Sequence, residues 1–443
     1  MPVQREHHHQ SHHESGILEN NNRQQEERLT RETQQAVAQQ TGQGNHGSHI
    51  SRIRTIPLVV LGSKEHLENW MTILPDSLKS RPLSHLSIPG SHDSGSYDLK
   101  LWSKVRWDTM KNPQMKTPWH GTVSWHRFIP VVSRPLVRRW GMTQLYSTHS
   151  QLQHGIRYFD IRVAQKSPHG NFYFIHGLYG PPISHIASDI NTFLEKHTEE
   201  VVIFHVQHIF NLSATRQRSF LDLLVSIFGL KICPYTQVNQ RQIDDSSSPV
   251  PSMSSATPVM TSSMPSLQQL ICKQRQILIF FPQETPIQSD LLWPNEMLAN
   301  PWANTTSTVQ LIRFLDDNVS SRSPHHLYVT QGILTPNFTM SRIKAVSTLK
   351  KQLSMPCNRV MSGWIKQQKG SFPGPNIIMT DFVEYNHYEI PRLVVSLNYP
   401  DLPFPEVTPF ASQTETRSLL RANAATARKA VLRHSQLEIK HEQ

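Results

Sequence analysis

The stretch LSIPGSHDSGSY (86–97) runs an apolar segment straight into a turn that presents His92 and Asp93 side by side. An acid–base pair placed where a strand stops reads as a position on a rim rather than in a core. The arrangement recurs along the chain. Arg162 comes near the end of GIRYFDIRV (155–163), His176 ends FYFIH (172–176), Gln207 lies near the end of EEVVIFHVQH (199–208), Gln331 ends HLYVTQ (326–331), and Asp381 comes late in NIIMTDF (376–382). LSHLSIP (83–89) and QILIFF (276–281) complete seven strand candidates. Several are nearly continuous in Val, Ile, Leu and Phe, the pattern of strands covered on both faces.

Segments of helical character lie between these runs, among them ISHIASDINTFLEKHT (183–198) and RSFLDLLVSIFG (218–229). Strand followed by helix, repeated, predicts a parallel sheet. No GxGxxG follows the first strand, so an open doubly wound sheet with a dinucleotide site has no support. Polar residues at the ends of separate strands favour an α/β fold of the irregular TIM-type (β/α) barrel kind, whose C-terminal strand ends share one rim where catalytic groups gather. Seven visible runs are one short of eight, which fits an irregular or incomplete barrel.

Composition sets the remaining limits. The chain has 443 residues, an apolar share of 37% and a net charge of +11, with a mean hydropathy of −0.44. Residues 1–50, rich in His, Gln, Asn and Glu, lack the apolar residues to build a core and are expected to be a disordered tail. The barrel domain is expected over 53–405, interrupted by the Ser/Pro-rich insertion 244–266. In the basic tail 412–443, Leu420, Ala424, Ala427 and Val431 recur at helical spacing beside Arg421, Arg428, Lys429 and Arg433. Three widely spaced cysteines, Cys233, Cys272 and Cys357, suit a reducing compartment better than a disulfide framework. The polar N-terminus lacks the apolar core of a signal peptide, which leaves the sequons at Asn211, Asn304, Asn318 and Asn337 as chance matches. Apolar runs such as LLVSIFGL (223–230) fall well short of the roughly 18 residues a membrane span needs. A soluble, cytoplasmic, monomeric protein with an anionic partner is therefore expected. No RNP, KH or zinc-finger pattern points to nucleic acid.

Two strand-end histidines near carboxylates suit a reaction that removes one proton and delivers another. A carboxylate can fix a ring's tautomer and stabilise its imidazolium. Arg162 adds a permanent charge with forked donors that match phosphate oxygens. Together these residues suggest phosphodiester cleavage by an internal hydroxyl. Gly90 and Gly95 are read as allowing the tight backbone of the turn.

The stretches LSIPGSHDSGSY, WGMTQLYSTHSQLQHGIRYFDIR (140–162), FIHGLYG (174–180), EEVVIFHVQH, LYVTQGILTP (327–336) and IIMTDFVEYN (377–386) resemble, in order, the X domain of phosphatidylinositol-specific phospholipase C. The match is nearest to the animal X-domain-containing proteins, which consist of little besides that domain. The resemblance implies a phosphoric diester hydrolase that releases diacylglycerol and a cyclic inositol phosphate from a phosphoinositide at a membrane surface. It implies His92 as general base on the inositol 2-hydroxyl, His176 as general acid on the leaving oxygen, Asp93 supporting the acid and Asp381 orienting the base. Asp160, Gln207 and Gln331 are expected to face the substrate. Calcium-dependent members carry Asn after the first histidine and two acidic residues where this chain has Asp160 and Arg162; a guanidinium there repels a cation, so calcium-independent chemistry with no metal or cofactor is expected. Gln207 stands where relatives carry Lys or Glu and supplies neither charge nor strong ligand. A catalytically weak or inactive phosphoinositide-binding module of the same fold is the alternative.

Overall fold

The computed structural model describes residues 64–106, 109, 129–235, 264–336 and 347–399. The expected tails 1–50 and 412–443, and the insertion up to Met264, lie outside the described residues. The strands are β1 (Ile88–Ser91), β2 (Tyr158–Gln165), β3 (Phe172–His176), β4 (Leu178–Pro182), β5 (Val202–Phe210), β6 (Ile277–Phe280), β7 (Leu292–Trp293), β8 (Leu298–Ala299), β9 (Leu327–Gly332) and β10 (Ile377–Thr380). The longer helices are α1 (Ile129–Gly141), α2 (Ile183–Lys196), α3 (Ala214–Phe228), α4 (Thr308–Val319), α5 (Met355–Ile365) and α6 (Tyr385–Ser396). None of the described helices is long and apolar enough to cross a membrane.

Eight strands follow the order β7-β6-β5-β2-β1-β10-β9-β8, and every neighbouring pair is parallel. Residues 294–297 alone separate the two edge strands in the chain. In a flat sheet those edges would stand roughly 33 Å apart, whereas such a link reaches at most about 18 Å. The sheet therefore curls into a barrel whose seam is bridged by the chain, with no β7–β8 pairing among the described residues. This is the irregular α/β barrel expected.

Period-two alternation divides the strand residues between two cores. Phe159, Ile161, Val163, Phe204, Ile277 and Ile279 pack with Ile186, Ile190 and Phe193 of α2 and with Phe220 and Leu224 of α3. The alternate set, Ile88, Tyr158, Ile203, Leu278, Val329 and Ile377, packs with Trp70 and Met71 at the N-terminal end of the barrel. Two or four residues further along the same inward face come His92, Asp160, Arg162, His205, Gln331 and Asp381. The barrel interior thus passes from apolar to ionisable along its axis.

Three expectations need correction. LSHLSIP is not strand throughout: Leu83–His85 form a 3₁₀ turn and β1 begins at Ile88. The buried Asn376 side chain holds that turn by donating to the Leu83 and Leu86 carbonyls. FYFIH is a strand, but β3 pairs antiparallel with β2 and β4 and lies outside the parallel sheet. Only residues 166–171 join β2 to β3, too few for the dozen or more that a parallel crossover needs. The two parallel strands not expected, β7 and β8, are two residues each, too short to leave a periodic signal.

Gly90 and Gly95 serve by close approach rather than by unusual φ. A methyl on Gly90 would lie 2.9 Å from Tyr158 Cδ1, and one on Gly95 2.5 Å from Cγ of the buried Phe174. Gly95→Ala is expected to cost about 1–3 kcal/mol by overpacking, read as a lower urea midpoint at constant m-value. An unchanged midpoint would show that Phe174 yields freely.

Candidate active site

The turn after β1 is built by its own serines and by β2. Ser91 Oγ donates to Ser94 Oγ, which donates back to the Ser91 carbonyl. Ser94 N donates to the Asp160 carbonyl and Asp93 N to Asp160 Oδ2, at 2.9 Å each. Asp93 adopts φ +43°, a left-handed conformation that Asp tolerates better than most residues. This backbone turns the Asp93 carboxylate inward beneath the strand ends.

Around that carboxylate the chain assembles the residues singled out from sequence. Arg162 Nε lies 2.6 Å from Asp93 Oδ1, while His92 Nε2 and His176 Nδ1 lie 3.3 and 3.2 Å from Asp93 Oδ2. Both imidazoles therefore approach one oxygen. His92 Nδ1 faces Asp381 Oδ1 at 2.7 Å, and Asp160 Oδ2 is 3.9 Å from His92 Nε2. His176 Nδ1 donates to the Gly141 carbonyl at 2.8 Å. The cluster is layered: the side chains of His92, Arg162 and His176 are 14%, 15% and 13% exposed, while those of Asp93 and Asp160 are fully buried. Its solvent-facing side is basic and its floor acidic.

Among the described residues, neither Gln207 nor Gln331 bonds a member of the cluster. Gln331 Nε2 donates to the Asn300 side-chain and main-chain oxygens. The pairing of β2 with β5 slips between Ile161 and Arg162, so that Arg162 lies opposite His208 and Gln207 is the extra residue of a bulge. Gln207 lies beside the buried Tyr158 hydroxyl, which contacts His205 Nδ1 at 2.7 Å. A bulge re-aims side chains beside functional sites, and its effect here is to bring His208 within electrostatic reach of Asp93, Arg162 and His176. Among the described residues, His92, Asp93 and Asp160 alone group donor atoms as a metal site would, within 4.8 Å. The Arg162 guanidinium already lies against Asp93 on that side.

The pKa pattern follows from the layering. Burial lowers the His92 pKa, but Asp93, Asp381 and Asp160 outweigh it and raise the value to about 9. His176 is lowered to about 4 by burial, with Arg162 and His92 adding to the effect against Asp93. Burial raises the Asp93 carboxyl, yet Arg162 and the histidines hold it below the ordinary range. Asp160 is raised to about 6 by burial and by Asp93. Burial lowers His208 to about 4 and His205 to about 3. Between about 4 and about 9, the two catalytic candidates thus carry one titratable proton, and so one imidazolium charge, between them, and it rests on His92.

This has a consequence for stability. A histidine raised in the folded state contributes stability that is complete below its unfolded pKa, about 6.5, and is lost as pH rises through about 9. The contribution is on the order of 3 kcal/mol. Urea melts across that window should show wild-type stability falling with pH, and His92→Gln should flatten the fall. Parallel curves for the two proteins would contradict the assignment.

Sequence reading assigned no role to several residues that fix the site. Gln144 Nε2 donates to the His92 and Thr380 carbonyls, and its Oε1 accepts from Val383 N. Thr143 Oγ1 donates to the His92 carbonyl. These two residues fasten the turn after β1 to the one after β10. Their only prior signal was position, inside the WGMTQ stretch that precedes β2.

No family model matches the chain. PI-PLC X domain-containing protein 3 from Mus musculus is 31% identical over 334 residues, 75% of this chain and 93% of its own length. The Danio rerio protein of the same name is 32% identical with the same coverage. A variant of the phosphatidylinositol-specific phospholipase C from Staphylococcus aureus shares the fold, with a TM-score of 0.50 at 15% identity over 77% of this chain and 98% of its own. Relatives above 30% identity span three quarters of this sequence and nearly all of their own, and the chain belongs to the family of PI-PLC X domain-containing proteins.

Proposed function

We propose that the chain is a phosphoric diester hydrolase of the phosphatidylinositol-specific phospholipase C type, cleaving a phosphoinositide at a membrane surface without calcium. The observation that carries this reading is the convergence of His92, His176 and Arg162 on one buried carboxylate, with the basic groups toward solvent. A phosphodiester seated against Arg162 exchanges water for a fixed guanidinium. His92 Nε2, with Nδ1 held by Asp381, takes the proton of the inositol 2-hydroxyl as that oxygen attacks phosphorus. His176 Nε2 delivers a proton to the diacylglycerol oxygen as its bond to phosphorus breaks. The products are diacylglycerol and a 1,2-cyclic inositol phosphate.

The reaction needs the shared proton on His176 when substrate is bound, whereas in the free protein it rests on His92. The phosphodiester's charge works in the required direction beside His176, and Asp93 Oδ2 lies within reach of either imidazolium. Calcium independence is supported by Arg162, whose charge stands where a cation would bind. In this reading the protein works as a cytoplasmic monomer; the described cysteines are all unpaired, as a reducing compartment favours.

The test is release of diacylglycerol from phosphatidylinositol vesicles in EDTA. Unchanged turnover on adding calcium is expected, and turnover that appears only with calcium would overturn the metal assignment. One observation favours a second reading, a binding module with little or no catalysis: the proposed base carries the resting proton and Gln207 brings no compensating cation to the cluster. Equal vesicle binding by wild type and His92→Ala, with turnover by neither, would select that reading.

A further inference from the structure

Two groups on one short segment bond Asp381, and a third packs against the residues just after it. Ser354 Oγ donates to Asp381 Oδ2 at 2.7 Å, and Asn358 Nδ2 donates to the Asp381 main-chain carbonyl at 2.8 Å. Lys350 Nζ pairs with Glu384 at 2.9 Å and lies over the Phe382 ring. Asp381, Ser354 and Asn358 are all buried. Residues Lys350–Ser354 form a π-helical turn ahead of α5. π-Turns are rare and cluster at functional sites, because the extra residue re-aims the side chains that follow.

From this geometry we infer that Ser354 is a positioning residue, which fixes the Asp381 carboxylate so that its other oxygen holds His92 in the Nδ1–H form with Nε2 aimed at the substrate. A buried carboxylate oxygen without a donor has reason to rotate or take up a proton. Ser354 removes that freedom for Oδ2, leaving Oδ1 for His92 Nδ1 at 2.7 Å. His92 is also faced by Asp93, Asp160 and Arg162. All three lie on its Nε2 side, so Asp381 is the group that holds the Nδ1 side. The π-turn sets the register, Asn358 holds the Asp381 carbonyl, and Lys350 packs on Phe382 and Glu384 just after it. The inference rests on the proposed role of His92 for its catalytic consequence, but its structural content stands without it.

The test joins two readouts on Ser354→Ala. In side-chain N–H NMR of histidine-labelled protein, the wild-type His92 Nδ1–H is expected to be protected from exchange with water. In Ser354→Ala that signal should broaden or vanish while the backbone spectrum is retained. Turnover should fall roughly 10- to 100-fold at unchanged KM, the scale of one hydrogen bond to a charged group, and Ser354→Thr should restore both. An unaltered Nδ1–H signal in Ser354→Ala would overturn the inference, whatever the activity. Altered NMR with no turnover in any variant, wild type included, would uphold the positioning and defeat the hydrolase reading. Should Ser354→Ala fail to fold, Ser354→Cys keeps the volume with a weaker donor, and a partial loss of protection is expected there.

Discussion

If the proposed hydrolase reading holds, His92→Ala and His176→Ala are each expected to lower diacylglycerol release from phosphatidylinositol vesicles by roughly 10²- to 10⁴-fold, the range of a single general acid or base. The two losses should not multiply in the double variant, because both rings serve one transfer through one shared proton. The folded state should survive. Both side chains reach solvent, at 14% and 13% exposure, and each is replaced by a smaller group at a rim rather than in a packed core. Removing His92 leaves Asp381 Oδ2 bonded to Ser354 Oγ, while Oδ1 faces the space the imidazole vacates at the rim. Circular dichroism and the urea midpoint at pH 9.5 or above, where the His92 charge no longer contributes, check that point. Single variants that keep wild-type turnover would remove these two residues from the mechanism.

Glu200→Ala is expected to destabilise the protein by about 3–5 kcal/mol, the cost of breaking a buried ion pair from one side. Arg157 and Glu200 are both fully buried, with Arg157 Nη2 and Nε 2.8 and 2.9 Å from Glu200 Oε2. Arg157 also donates to the carbonyls of Leu152, Ile156 and Glu68. Glu200 accepts from Thr72 N and Oγ1 at 2.7 Å each. The pair ties the short helices before β1 to the N-terminal end of β2 and β5, where Trp70 and Met71 close the core. Truncation leaves the guanidinium without its bonded carboxylate, with only the more distant Glu68 charge acting on it, and leaves Arg157 Nε and the Thr72 donors without their acceptor. Urea unfolding measures the loss, and a change within experimental error would mean that water reaches the pair. A paired replacement of both residues by apolar groups is expected to cost far less than either single change.

The sequence showed the barrel and most of its rim for a physical reason. Strands buried on both faces are apolar through their length, so a charged residue at one end stands out, as Asp160 and Arg162 do in GIRYFDIRV. The extents of β2, β5, β9 and β10 differ from their runs by a few residues at either end. The hairpin misread as a barrel strand carries the same composition as its neighbours, and only the short link before it betrays its direction. β7 and β8 escaped because two residues leave no period to detect.

What the sequence determined by itself was the set of groups: two imidazoles, a guanidinium and three carboxylates at strand ends, in an order matched by one family. Tertiary structure alone decided which of them meet. The bulge in β5 displaced Gln207 and admitted His208, the left-handed turn at Asp93 put one carboxylate beneath both imidazoles, and the π-turn carried Ser354 to Asp381. Protonation was likewise decided in three dimensions, since His92 and His176 are chemically identical and differ only in the carboxylates and depth around them. Residue type follows from local patterning, but contact across 289 positions, as between His92 and Asp381, depends on how the whole sheet curls.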